Sequence, residues 1–310
     1  MPLAANENVC FSKYDVTNTD KEEIMNKYRM WGVVLMLSGL LLLASAPRKG
    51  IKVFISVDME GVAGVVSGRE CSSSGPDYDY FRRLMSEEAS AAVQGALDAG
   101  AVEVVVRDGH GAKTNIVPGL VHRKARLLRG VTSRPENMML GIDESFDAVV
   151  FIGYHAKAGT EGGVLAHTSS GNVIDLSING ESLPEAGYNA LIAGLHEVPV
   201  AFLAGDDWIC RQAEDLFEGV AVFETKQGMA PAALCLHPED VRRGIRRDVA
   251  AALRDLSRYS PYKLQPPYTM VLKVKKERAL YPGAEKTGEG EFTFIDPDFL
   301  KVMDAFNAMK

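Results

Sequence analysis

Four acid and imidazole side chains stand where short apolar runs end. Ile51 to Val57 leads into Asp58-Met59-Glu60-Gly61, Val102 to Arg107 into Asp108-Gly109-His110, and Ala148 to Gly153 into Tyr154-His155. Carboxylates and imidazoles are the donors a hydrolytic metal site uses. In open α/β sheets, ligands bind outside the carboxyl ends of the strands. The three strand ends therefore point to one site holding Asp58, Glu60, His110 and His155. Each motif is weak alone, because acids at strand ends often cap helices and the His of Asp-Gly-His can simply solvate a loop. Two residues apart on a continuing strand, Asp58 and Glu60 would share a face. A histidine that closes a buried strand, as His155 does, must find a partner or shift its pKa. The convergence of the three ends carries the argument.

A second segment adds candidates. Gly162-Gly163-Val164-Leu165-Ala166-His167 brings another imidazole, and its paired glycines suggest close backbone approach to a ligand. The alternative is an exposed histidine on a flexible loop. Glu185 stands at a predicted helix start, where the macrodipole favours its charged form. Capping and metal binding are both open to it. Asp206-Asp207 reads as a helix cap.

The elements that must position these groups form an α/β pattern. Strand 51–57 is apolar on both faces, as a strand covered on both sides should be. A Gly- and Ser-rich loop over 61–76 follows. Apolar residues at helical spacing predict a helix over 79–99, with Gly100 placed to end it. Strand 102–107 completes a βαβ unit, for which parallel pairing is expected. Further strands are expected over 148–153, 173–179, 198–204 and 270–274, with a hairpin turn at Asn179-Gly180. Helices are expected over 185–196, 238–259 and 297–309, the last started by Asp296-Pro297. The expected architecture is a mostly parallel central sheet with helices on both faces. A smaller C-terminal α+β portion is expected to form a lobe over about 225–310.

With 310 residues and a formal charge of −7, the chain has the composition of an ordinary globular protein. No basic stripe interleaved with aromatics is present, so no nucleic-acid partner is expected. The cluster Arg242-Arg243-Gly244-Ile245-Arg246-Arg247 reads as a solvated helix face or a subunit contact. Cys10, Cys71, Cys210 and Cys235 show no zinc-ribbon spacing. Residues 1–46 read as an extension plus leader. A basic segment with Lys27 and Arg29 precedes the apolar run Trp31 to Ala44, and Ala44-Ser45-Ala46 supplies a cleavage point. The run is shorter than the ~20 residues that span a bilayer. An exported, secreted or periplasmic protein is expected. An uncleaved anchor contacting the membrane through 31–46 is the alternative, since Pro47 follows the cleavage point. Met25 is a second candidate start.

Residues 47–310 form the expected main domain, which over about residues 51 to 310 resembles the M55 metallopeptidases, the DppA-like D-aminopeptidase family. The resemblance rests on Ser56-Val57-Asp58-Met59-Glu60-Gly61, Asp108-Gly109-His110, Gly153-Tyr154-His155-Ala156, Gly163 to His167, Glu185 to Ala190, Val200 to Asp207 and Tyr281 to Gly288. It implies two zinc ions per subunit, held by Asp58, Glu60, His110, His155 and Glu185, with Asp58 bridging. It places His167 at the family's catalytic position, where attack, proton transfer and oxyanion stabilisation are all open roles. It also implies a homo-oligomer, with a ring as one form. Two departures stand out. The family's Asp-Ser-His is Asp-Gly-His here, and the loop from His155 to His167 is one residue longer. The family is typically cytoplasmic, whereas this leader predicts export. The expected activity is zinc-dependent release of N-terminal, D-configured residues from short peptides such as D-Ala-D-Ala. The alternatives are a two-metal phosphoesterase, with Lys157 or Lys226 to bind phosphate, and a non-catalytic exported binding protein.

Overall fold

The computed structural model describes Met25, Lys27 and residues 50–310. The apolar run and cleavage point expected over 31–46 lie outside the described residues. Among the described residues, no helix is long and apolar enough to cross a membrane.

The chain builds β1 (Ile51–Val57), α1 (Gly68–Cys71), α2 (Tyr78–Asp98), β2 (Ala101–Asp108), β3 (Arg126–Leu128) and β4 (Ala148–Tyr154). Next come β5 (Val173–Ile178), β6 (Glu181–Ser182), α3 (Glu185–Gly194), β7 (Val200–Asp206) and α4 (Asp207–Leu216). Then follow β8 (Ala221–Met229), β9 (Ala232–Cys235), α5 (Pro238–Ala252), β10 (Tyr268–Val274), β11 (Glu285–Gly288), β12 (Glu291–Asp296) and α6 (Phe299–Met309). A seven-stranded sheet runs in the order β3-β2-β1-β4-β7-β8-β9. It is parallel except for β9, which pairs antiparallel with β8. A five-stranded antiparallel sheet runs β11-β12-β10-β5-β6.

The alternation seen in the sequence of β1 sorts its side chains between two cores. Val53, Ile55 and Val57 pack with Leu84, Met85 and Val93 of α2 and Val241, Ile245 and Val249 of α5. Phe54 faces the other core, with Leu191 of α3, Ile209 of α4, and Leu176, Met270, Leu272 and Phe292 of the second sheet. Both faces of the parallel sheet are thus covered, and β4 and β7 are buried along their whole length.

Several boundaries differ from those expected. The helix expected over 238–259 ends at Ala252, and Leu256–Arg258 forms a separate 3-10 turn. The last helix starts at Phe299, because Asp298 rather than Asp296 accepts the capping hydrogen bond from Leu300 N at 2.9 Å. The loop over 61–76 contains α1, which Ser67 and Glu70 close with a reciprocal capping box. Residues 225–310 contribute to both sheets. The β8–β9 hairpin extends the first sheet, while the second sheet recruits β5 and β6 from 173–182. Asn179 and Gly180 both have positive φ and form the expected hairpin turn.

In the large sheet β2 lies on one side of β1 and β4 on the other. That reversal is the topological switch point where α/β sheets place ligands. The backbones cross tightly there. Asp58 N donates to Ile152 O and Gly61 N to Gly153 O, each at 2.8 Å. A Cβ on Gly61 would lie 1.8 Å from Tyr154 O, and Gly153 has φ +70. Gly61→Ala must therefore push β1 and β4 apart. Overpacking of this kind costs about 1–3 kcal/mol. Urea unfolding of Gly61→Ala should show a lower midpoint, and an unchanged midpoint would contradict the close crossing.

Candidate metal centre

The strand ends bring Asp58, Glu60 and His110 to one cavity, together with His167 and Glu185, with His155 fully buried beside them. β1 stops at Val57, and Asp58 to Gly61 is a turn, not the continuing strand the sequence suggested. Asp58 and Glu60 still converge, because both reach the same nitrogen. Asp58 Oδ1 and Glu60 Oε2 each stand 3.1 Å from His110 Nδ1. On the other side, Asp58 Oδ2 and Glu185 Oε1 each stand 3.5 Å from His155 Nε2. Glu185 Oε1 is also 3.6 Å from His167 Nε2. The rings of His155 and His167 stack 4.1 Å apart at an interplanar angle of 7°. Two triads result, Asp58/Glu60/His110 and His155/His167/Glu185, with Asp58 reaching into both.

The outer nitrogen of every imidazole is tied to a backbone carbonyl. His110 Nε2 donates to Cys71 O at 3.0 Å, His155 Nδ1 to Ala156 O at 3.0 Å, and His167 Nδ1 to Leu165 O at 2.9 Å. A carbonyl can only accept, so each of these nitrogens carries a proton. In the neutral ring the inner nitrogen then presents a lone pair toward the carboxylates. Lone pairs facing carboxylates repel unless a proton or a metal cation lies between them. This arrangement is how proteins orient a metal-binding histidine. His155 Nε2 and Glu60 Oε2 are buried with no hydrogen-bond partner, which is the environment a cation would complete. Donor atoms around a tetrahedral zinc ion stand about 3.3 Å apart, given bonds of about 2.0–2.1 Å. The 3.1–3.6 Å separations seen here are of that size. The residues present fit a pair of divalent metals.

Without a cation, the acids and imidazoles charge one another. Burial pulls the His110 pKa down, but Glu60 and Asp58 beside it outweigh this and raise it to about 11. His155 is likewise raised well above the usual imidazole range, as Asp58 and Glu185 outweigh its burial. Burial pushes Asp58 and Glu185 up, but the imidazoles win, holding Asp58 well below the usual range and Glu185 at about 2. A bound metal takes over the role of these protons, so metal binding and protonation compete.

Neighbouring groups hold the ligand atoms still. Glu185 Oε1 accepts from Ser169 N at 2.6 Å and Oε2 from Tyr188 OH at 3.1 Å. Asp108 is a structural acid. It accepts from Ile116 N and Asn115 Nδ2, and Asn115 donates in turn to His110 O. Asp206 caps α4 as expected, accepting from Trp208 N and Ile209 N. Its other oxygen accepts from Ala156 N, fixing the segment next to His155.

The family model described as D-aminopeptidase, Peptidase_M55, matches residues 51–308. The chain belongs to this family. A D-aminopeptidase of Bacillus subtilis (strain 168) is 34% identical over 268 residues, covering 84% of this chain and 96% of that protein. The solved structure of the Zn-dependent D-aminopeptidase DppA from Bacillus subtilis, described as a self-compartmentalizing protease, is similar with a TM-score of 0.80 and 32% identity. That match covers 83% of this chain and 96% of the other. The chain is thus a hydrolase of the metallo-aminopeptidase class, built on the family's mostly parallel α/β fold.

The lysines considered as phosphate ligands do other work. Lys157 is hydrogen-bonded to Ser182. Lys226, buried within β8, donates to the carbonyls of Glu60 at 2.6 Å, Val62 at 2.9 Å and Val65 at 2.5 Å. Thr225 Oγ1 donates to Gly61 O at 2.6 Å, and Glu88 Oε1 accepts from Ala63 N at 2.9 Å. These three side chains clamp the loop that carries Glu60. Nothing in the local sequence marks Lys226, because its acceptors lie some 160 residues away. Arg242, Arg243, Arg246 and Arg247 are ion-paired with Glu87, Asp240, Asp98 and Asp248. Cys71, Cys210 and Cys235 are free thiols.

Lys226→Met strips three buried carbonyls of their donor, at about 1–3 kcal/mol for each group left unsatisfied. Denaturant unfolding should show a loss of stability of at least that order. Competition with a chelator should show weaker metal binding as the Glu60 loop loosens. Metal affinity equal to wild type would show that the loop does not depend on this lysine.

Proposed function

We propose that this protein is a zinc-dependent aminopeptidase that removes N-terminal D-residues from short peptides, D-Ala-D-Ala among them. The observation that carries the reading is the pair of triads joined by Asp58, each with a histidine oriented by a backbone carbonyl. Asp58, Glu60 and His110 would hold one zinc ion, and Asp58, His155 and Glu185 the other. The zinc dependence of the Bacillus subtilis relative supports this metal. When bound, the two ions supply Lewis acidity for the scissile carbonyl and lower the pKa of water.

The chain's own residues do the rest. Burial of Asp58, Glu185 and His155 keeps bulk water from the ligand atoms. His167 is the most exposed imidazole of the group, at 26% for its side chain against 14% for His110 and none for His155. It lines the cavity, and its Nδ1 is tied back to Leu165 O. This exposure supports a role in which it gives or takes a proton at the substrate. The leader pattern of 25–46 supports action outside the cytoplasm, secreted or periplasmic, with a retained anchor as the alternative. The self-compartmentalizing relative supports a homo-oligomer, with a ring as one form.

The deciding experiment is a screen of purified protein, zinc-loaded and chelated, against D- and L-aminopeptides and p-nitrophenyl phosphate. Zinc-dependent release of D-alanine is expected. Turnover of the phosphate ester alone would favour a phosphoesterase. Peptide binding without turnover, unaffected by chelation, would favour a binding protein.

Variants divide the roles. Asp58→Ala and His155→Ala should lower bound zinc and abolish turnover while the fold persists. Full zinc occupancy in both would show the centre to be elsewhere. His167→Ala should keep its zinc and lose about 10²–10⁴-fold in kcat. Loss of zinc from that variant would instead make His167 a ligand.

A further inference from the structure

The cavity at the triads has a volume of about 330 Å³. Besides Asp58, Glu60, His110, His167 and Glu185, two lysines line it, Lys113 and Lys310. Lys113 is 8% exposed and enters the cavity from a residue of φ 60. Its ammonium group donates to Gly109 O. Lys310 donates to Ser169 Oγ at 2.6 Å and Asn307 Oδ1 at 2.7 Å. Among the described residues neither makes an ion pair with a carboxylate; the hydrogen bonds of both go to neutral oxygens, and Lys310 Nζ also lies over the Phe306 ring, 5.1 Å from its centroid.

An ammonium group has three N–H donors. Lys113 uses one on the protein and Lys310 two, so both keep donors for a ligand. A buried charge without a counter-charge is costly. Such a charge persists where something that binds there compensates it. The cavity's three carboxylates are outweighed once two divalent ions join the two ammonium groups. The loaded cavity therefore calls for an anion.

In a dipeptide that anion is near the reacting carbonyl. The free C-terminal carboxylate belongs to the residue next to the scissile bond, and one residue spans only about 3.3–3.6 Å. A carboxylate is also the group that charge-assisted N–H donors bind best. Lys310 is well supported for this task. Its partner Ser169 also donates, through its backbone, to Glu185, which ties the lysine to the ligand set.

Building on the aminopeptidase reading above, we propose that Lys113 and Lys310 bind the free C-terminal carboxylate of a dipeptide substrate and so select dipeptides over longer or C-terminally blocked peptides.

The test compares kcat/KM of the zinc-loaded full chain on D-Ala-D-Ala, D-Ala-D-Ala amide and D-Ala-D-Ala-D-Ala. The wild type should prefer the free dipeptide acid to its amide by roughly 10- to 100-fold, as expected for a hydrogen bond to a charged group. Lys310→Met and Lys113→Met should move the acid-to-amide ratio toward one, chiefly through KM for the acid. Lys310→Arg should restore part of the preference, which guards against a folding artefact. Calorimetric binding of D-alanine should weaken in both methionine variants at unchanged zinc content, whereas binding of D-alaninamide, which lacks the carboxylate, should not change. Equal activity on acid and amide in the wild type, or equal losses on both substrates in the variants, would overturn the proposal while leaving the aminopeptidase reading intact. A wild-type enzyme that cleaves none of the three peptides would overturn both.

Discussion

Three carboxylates and three imidazoles crowd into one largely buried cluster, and the surrounding structure answers to the electrostatics of that crowding. Asp58 stands between His110 and His155, and Glu185 between His155 and His167. In a dry site such groups cannot all remain uncompensated. Protons compensate them in the metal-free chain, which is why His110 is driven up to about 11. Metal ions compensate them without protons, leaving the carbonyl bonds of the rings in place. The same contacts therefore serve two states of the site, and acid and metal compete for it.

The charges converge because backbone segments converge first. Gly61 lies against Tyr154 O, and Gly153 has the positive φ that turns β4 beneath Asp58. Lys226, Thr225 and Glu88 then tie the loop over 60–65 to β8 and α2. Under the site, Tyr154 OH donates to Ser56 Oγ and accepts from Asn189, joining β4, β1 and α3. These contacts come from segments far apart in the chain, so the positions of the ligand atoms depend on the fold as a whole.

Much of this was legible in the sequence, for local reasons. The two faces of β1, the apolar runs of β2 and β4, and the polar residues that follow them report strands and what stands at their ends. The order of those motifs also carries the family resemblance. Two kinds of feature were not legible. Ends of elements such as α5 and α6 depend on which of several nearby acids or turns wins the cap, as Asp298 does over Asp296. Residues that act across the fold show no pattern of their own. Lys226 looks like any strand lysine, and Lys113 and Lys310 like surface charges. The joining of 173–182 and 268–296 into a shared sheet was hidden for the same reason, since antiparallel partners such as Met270 and Ile178, more than 90 residues apart, leave no periodic trace.

The most direct test of the central claim is diffraction from crystals of the zinc-loaded protein, recorded above and below the zinc absorption edge. Two anomalous peaks are predicted, one bounded by Asp58, Glu60 and His110 and the other by Asp58, His155 and Glu185. No peak in this cavity, or zinc bound only elsewhere on the molecule, would contradict the account.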